Sequence, residues 1–204
     1  MKYEAKDYTR LLGTQGFSDT LLNNHFTLYK GYVDNTNKLM EELKQLESSG
    51  KMQTPHYSEL HRRFGWEFNG MRLHEYYFDN MIKTKSEPSK SFELYKKMEL
   101  EFGGFENWKK EFSAVGAMRG IGWAILYLDS MTGNLFNVWV NEHDAGHLSG
   151  GTPLLVLDVF EHAFILDYGL KRADYIQAFF NAVSWEEVNN RYDRAHAKAG
   201  AVKH

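Results

Sequence analysis

Residues 154–164 read LLVLDVFEHAF, so Asp158, Glu161 and His162 interrupt a run that is otherwise aliphatic or aromatic. An unpaired charge in such surroundings costs several kcal/mol or is neutralised by a shifted pKa, so each of the three needs a compensating partner. One kind of partner is a metal ion. His25 and His74 fall on the inward stripes of two helical segments, and together with Asp158 and His162 they offer three imidazoles and one carboxylate. That donor set suits a single Fe, Mn or Zn ion, and the carboxylate tilts it toward a harder metal than a thiolate site would hold. The competing reading is structural: His25 and His74 as hydrogen-bonded core histidines, with Asp158 and His162 capping a helix. Neither reading accounts for Glu161. Of the other histidines, His56, His61, His196 and His204 stand in polar surroundings and read as surface.

The elements that must position these residues follow from periodicity. From Ser18, an N-cap followed by Asp19 in the first turn, Leu22, His25, Tyr29, Tyr32, Leu39, Leu43 and Leu46 recur at three-, four- or seven-residue steps and share one helix face. SSGKMQTP (48–55) breaks the pattern. A second helix is predicted over 56–82, with Phe64, Met71, His74, Phe78 and Met81 on one face. Two long helices with a short connection predict an antiparallel hairpin. The polar stretch 83–91 then divides the chain into a helical part, 1–84, and a mixed part, 85–204. In the second part, SFELYKKMELEFGG and FENWKKEFSAVGAM read as short helices. WAILYLD (123–129) and LFNVWVN (135–141), separated by turn residues, read as a β-hairpin. LLVLD (154–158), apolar throughout, reads as a third strand in a central position. RADYIQAFFNAV and WEEVNNRYDRA read as closing helices, and 196–204 as a mobile tail. The fold class is therefore α+β: a long helical hairpin followed by an α/β lobe with a three-stranded sheet.

Composition removes several functional classes. With 24 basic and 27 acidic residues the net charge is −3, which leaves no basic stripe for nucleic acid. There is no apolar run of about 20 residues to span a membrane. The absence of cysteine excludes disulfides, zinc–thiolate sites and iron–sulfur clusters. MKYEAKDYTR contains no apolar stretch of the kind a secretory leader has, and a cytoplasmic location is the expectation.

At DVFEHAF the chain resembles the iron/manganese superoxide dismutase family, whose signature there reads D-x-W-E-H-A-[YF]. GIGWAILYL (120–128) is similar to the family's G-x-G-W-x-W-L strand. KRADYIQAFFNAVSWEEVNNRY resembles its R-R-P-D-Y…R-Y ending, and FNGMRLHEYYFDNM the segment around its second ligand. The resemblance runs from about residue 12 to residue 194. It implies superoxide dismutation by one Fe or Mn ion, with His25, His74, Asp158 and His162 as ligands and a solvent molecule as the fifth. It implies that Glu161 crosses a two-fold interface of a homodimer, or of a tetramer built on it, to the His162 of a second subunit. Tyr32 and a histidine in VNEHDAGHLSGG would face the bound solvent; His143 is the assignment and His147 the rival. Trp123 and Tyr77 would wall the site, or serve as plain core aromatics. Arg172 would attract the anion, or form a surface ion pair. A histidine at that gate, rather than glutamine, points to iron, or to a site that works with either metal.

The chain also departs from the family pattern. His25 lies seven residues before Tyr32, where eight is usual, and Asn24 fills the eighth position. Asn is a poor ligand for Fe or Mn, and loss of one residue suits a regular helix in place of a bulge, so His25 is taken as the ligand. Tyr29 stands where a family histidine often lies, which could alter the proton route. Phe160 replaces a tryptophan and Phe164 the commoner tyrosine. Gly70 occupies the position from which one subgroup supplies its glutamine. Three other readings compete. DVFEH resembles the H-x-x-E-H zinc-peptidase motif with Asp in the first place. A 2-His-1-carboxylate oxygenase would need three open positions. A metal-binding homologue without dismutase activity would keep the ligands and lose the reaction.

Overall fold

A computed structural model describes residues 2–201 of the chain. The N-terminal segment leads into α1 (Asp19–Ser48) and α2 (Pro55–Asp79), the expected hairpin. Ser18 caps α1 by accepting the Leu21 amide at 3.0 Å. Thr54 caps α2 by accepting the Tyr57 amide at 3.2 Å, with Pro55 at the first helical position, where its missing N–H costs nothing. α1 is continuous α-helix through 25–32, so His25, Tyr29 and Tyr32, at steps of four and three, lie on one face.

The second part contains α3 (Glu93–Phe102), α4 (Phe105–Gly116), β1 (Gly122–Asp129), β2 (Leu135–Asn141), β3 (Gly151–Asp158), the four-residue α5 (Ile165–Tyr168), α6 (Arg172–Asn181) and α7 (Trp185–Ala201). The strands form one antiparallel sheet in the order β2-β1-β3. This corrects the expectation of a central β3: β1 holds the centre and β3 an edge. The apolar run of β3 reports burial of its faces, because α2 and α7 pack against it, and burial does not fix hydrogen-bonding order. Pro153 is compatible with that edge, since proline cannot donate to a ladder on both sides; the β1–β3 register shifts beside it, between Leu126 and Tyr127. Gly122 opens β1 at φ 147°, where a Cβ would lie 2.1 Å from the Val140 carbonyl, so the β1–β2 approach requires glycine. α7 continues through 196 to Ala201, so that stretch of the expected tail is helical; His204 lies outside the described residues.

One hydrophobic core runs through both parts of the chain, from Leu21, Leu22 and Phe78 to the strands and Phe179. Two buried polar side chains lock the end of α2 to β3. Asn80 accepts the Val156 amide at 3.0 Å, and Arg191 donates to the Leu154 carbonyl and the Tyr76 carbonyl, both at 3.1 Å. These bonds fix His74, near the end of α2, relative to Asp158, at the end of β3. Among the described residues no helix is long and apolar enough to cross a membrane.

Candidate metal centre

The hairpin brings the start of α1 against the end of α2, so His25 meets His74 with ring centroids 5.0 Å apart. β3 ends beneath them at Asp158. The 3-10 turn Glu161–Ala163 then returns His162 to the same point, its ring 4.9 Å from that of His25. One ligand atom from each of His25, His74, Asp158 and His162 lies within 4.8 Å of all the others. Donors on opposite sides of one ion with ~2.1 Å bonds stand about 4.2 Å apart, so the cluster has the size of a single-ion site. Two of these donors come from each part of the chain.

The hydrogen bonding fits a metal better than the structural reading. Nε2 of His25 and of His162 each lie 3.2 Å from Asp158 Oδ2. His74 is held through Nδ1, which donates to the Gly70 carbonyl at 2.5 Å. Its Nε2 therefore carries a lone pair, lies 3.7 Å from Asp158 Oδ2, and is buried with no hydrogen-bond partner. Buried polar atoms are nearly always satisfied, so a bare imidazole nitrogen aimed at a carboxylate and two more imidazoles is a donor that a cation could satisfy. Burial lowers the pKa of His25 and drives that of His74 well down, and the neighbouring imidazole of His25 lowers His74 further. Burial alone would raise the Asp158 carboxyl; the His162 and His25 rings outweigh it and hold the group well below the usual carboxylate range. Neutral imidazoles and an ionised carboxylate are the forms that bind metal.

Around the cluster, His143 is fully buried. Its Nδ1 accepts from the Trp123 indole at 3.1 Å, so its proton sits on Nε2 and is donated to the Tyr32 oxygen at 2.7 Å. Burial lowers the His143 pKa to about 4 and raises that of Tyr32 to about 12, which keeps both neutral near pH 7. The Tyr32 ring stacks on His74 at 5.3 Å. His147 is engaged elsewhere: it donates from Nε2 to the His143 carbonyl at 2.8 Å and accepts from Tyr127 at 2.7 Å, bracing the loop that carries His143. Glu142, just before His143, is the one non-glycine residue among the described residues with positive φ, 53°.

Tyr77 is buried against His25 at 5.3 Å. Tyr175 donates to the Asp158 carbonyl at 2.6 Å, which leaves Tyr77 as the donor to Tyr175 at 3.1 Å. Tyr175 was not singled out in the sequence, although it coincides with the tyrosine of the R-R-P-D-Y ending; its place beside Asp158 shows only once α6 is packed. Trp66 was also missed: it meets His143 edge-on at 4.9 Å, and its position eight residues before His74 on α2 was the available signal. Phe160 stacks between His143, at 4.7 Å, and His162, at 5.2 Å. Tyr29 turns its hydroxyl away from the cluster, donating to the buried Glu75 and accepting the Lys6 amide, both at 3.1 Å, so it is not in the Tyr32–His143 chain. Phe164 stacks on Tyr175 at 5.3 Å. Glu161 is exposed and outside the cluster. Arg172 is not brought to the cluster either: its guanidinium donates to the Met118 and Gly120 carbonyls at 2.5 and 2.9 Å and lies over the Phe164 ring.

Gly70 serves the centre twice, through its carbonyl on His74 and through its missing side chain. A Cβ there would meet the Tyr32 ring at 2.5 Å. A side chain at 70 and the present Tyr32 position exclude each other, so the group facing Tyr32 comes from the loop after β2. Gly70→Ala is accordingly expected to destabilise the protein by about 1–3 kcal/mol through overpacking, despite the better helix propensity of alanine. Thermal or chemical unfolding checks this, and a stabilised variant would contradict the close packing.

Residues 89–191 match the family model for iron/manganese superoxide dismutases, C-terminal domain. Over 99% of its length the chain is 36% identical to superoxide dismutase [Fe] of Aquifex pyrophilus, covering 96% of that protein. The chain belongs to the iron/manganese superoxide dismutase family. It is also 36% identical to superoxide dismutase [Mn] 2 of Haloferax volcanii, over 84% of each chain, and 33% identical to superoxide dismutase [Fe] of Saccharolobus solfataricus, over 86% of this chain and 83% of that one. Family members with either metal name are thus about equally similar to it. The match spans both parts of the chain, which the zinc-peptidase and oxygenase readings leave unexplained.

Proposed function

We propose that the protein is a superoxide dismutase, working in the cytoplasm as a homodimer and preferring iron, with His25, His74, Asp158 and His162 as its metal ligands. Held by these four residues, an Fe or Mn ion would supply one-electron redox chemistry between its +3 and +2 states, enough to convert two superoxide ions and two protons into O₂ and H₂O₂. The chain's residues supply ligation, protons and orientation. The observation that carries the reading is the Trp123–His143–Tyr32 hydrogen-bond chain beside the four-ligand cluster. Because His143 donates to Tyr32, the Tyr32 hydroxyl proton is free to be donated toward the reacting oxygen species. Tyr175 and Trp123 hold the Asp158 backbone and the His143 tautomer in place. Tyr77 and Phe160 exclude water from the sides, and an imidazole in place of a side-chain amide at 143 supports the iron preference. Arg172 contributes a fixed positive charge beside Phe164. Protein loaded with iron and, separately, with manganese decides the preference: the iron form is expected to turn over faster at equal occupancy, and a faster manganese form would reverse the metal assignment.

In the same reading Glu161 bonds His162 of the partner subunit. Two observations support it: Glu161 is exposed, and His162 is the ligand whose side chain remains 29% exposed. A carboxylate on a ligand histidine sets its orientation and basicity. Glu161→Ala is expected to weaken association and to lower metal affinity about 10–100-fold, read by sedimentation and by metal content. An unchanged dimer with full metal would remove the role.

A further inference from the structure

Arg63 lies on the turn of α2 before Trp66, with its guanidinium carbon 5.2 Å above the Trp66 ring. Trp66 is the residue that meets His143 edge-on. Nε of Arg63 donates to one oxygen of the buried Glu67 at 2.8 Å, Nη2 lies 2.8 Å from the same oxygen as an ion pair, and Asn35 donates to the other oxygen at 3.4 Å. The guanidinium is thereby held in one place while its side chain remains 52% exposed. Nη1 makes no hydrogen bond among the described residues. Arg172, by contrast, spends both terminal nitrogens on carbonyls. A half-exposed cation over an aromatic ring keeps more of its field than one in deep water and still offers donors to an arriving anion.

We propose that Arg63 is the cation that draws superoxide toward the partly exposed Tyr32 beside His143, held there by Glu67 and the Trp66 ring. The inference rests on the dismutase reading for the identity of the anion. Trp66 links Arg63 to His143: the guanidinium carbon lies 5.2 Å above its ring and the His143 ring meets it at 4.9 Å, which places the charge within electrostatic reach of the hydrogen-bonded Tyr32–His143 pair. Two negative groups oppose it: Glu67 itself, and Asp144, whose Cβ lies 3.8 Å from where a Cβ on Gly65 would be.

The probe is azide, a small monoanion that does not turn over, titrated spectroscopically into iron-loaded protein, alongside the dismutation rate over a range of ionic strength. Arg63→Gln is expected to weaken azide binding and slow the low-salt rate by about two- to fourfold, with the difference fading at high salt. Arg63→Lys should keep most of both. Glu67→Gln should shift azide affinity the other way. Arg63→Gln with unchanged azide affinity at every salt concentration would overturn the proposal. So would a loss that is independent of salt and not rescued by lysine, since that is the mark of a packing role. If iron-loaded wild type binds azide but does not dismutate, the dismutase reading fails while the azide affinities still decide the role of Arg63.

Discussion

Alanine at His25 is expected to empty the metal centre, whereas alanine at Asn24 leaves it loaded. Spacing alone sets the two in competition, because the family pattern counts eight residues back from Tyr32 and arrives at Asn24. The helix decides between them. α1 is regular through this stretch, so a seven-residue step returns almost to the same face, and His25, Tyr29 and Tyr32 are carried to the interior together. His25 is 2% exposed with Nε2 directed at Asp158; Asn24 is exposed on the turn's outer side. Loss of a direct ligand should cost more than the ~10–100-fold that an outer-shell change costs. Metal content after identical loading and desalting reads the difference. A metal-free Asn24→Ala beside a fully loaded His25→Ala would reassign the ligand.

The second large effect is on the stability of the metal-free protein as pH falls. His25, His74 and His143 are buried with pKa values below the ordinary 6.5. Between pH 6.5 and their folded values the unfolded chain binds protons that the folded chain refuses. Folding is therefore most favoured above pH 6.5 and loses free energy as pH drops through that window. For His143, whose folded value is about 4, the window spans about 2.5 pH units, or about 3–4 kcal/mol at ~1.4 kcal/mol per unit. His25 and His74 act in the same direction. Asp158 acts lower: its pKa is depressed, so its contribution is intact above about pH 3.8 and is lost only below that. Denaturant unfolding of the apo-protein at pH 7.5 and pH 5 is expected to show a substantially lower midpoint at pH 5. Equal midpoints would mean that the three imidazoles are not held neutral by the fold. Metal loading should raise the midpoint at both pH values without removing the difference, because bound metal keeps the imidazole nitrogens from taking up the protons that the unfolded chain still binds.

Much of this was legible in the sequence because it is local. The Ser18 cap, the seven-residue steps of α1 and the strand pattern of LFNVWVN each contain their own evidence, and the observed elements begin or end within a few residues of the expected ones. His25, His74, Asp158 and His162 were legible as inward polar groups, and the fold brings the four together. What escaped depends on contacts between distant segments. The position of β3 in the sheet is set by which strand β1 pairs with on each side, which an apolar run does not encode. Tyr175 matters only because α6 returns beneath β3. Trp66 and Phe160 matter only because the loop after β2 delivers His143 between them. Gly70 was noted for the side chain it lacks; its packing role emerges once the Tyr32 ring is seen occupying that space. The choice of His143 over His147 follows from bonds neither could announce in sequence: one faces Tyr32 and Trp123, the other is spent on Tyr127 and the loop backbone.

The central claim is that this cluster turns over superoxide. The most direct test is superoxide decay followed in stopped flow with iron-loaded protein, manganese-loaded protein and apo-protein at equal concentration, with superoxide in large excess. Many turnovers per site are expected with iron, fewer with manganese, and decay at the uncatalysed rate with apo-protein. Stoichiometric metal binding with no catalysed decay in either loaded form would contradict the claim, and would leave a metal-binding member of the family that has lost the reaction.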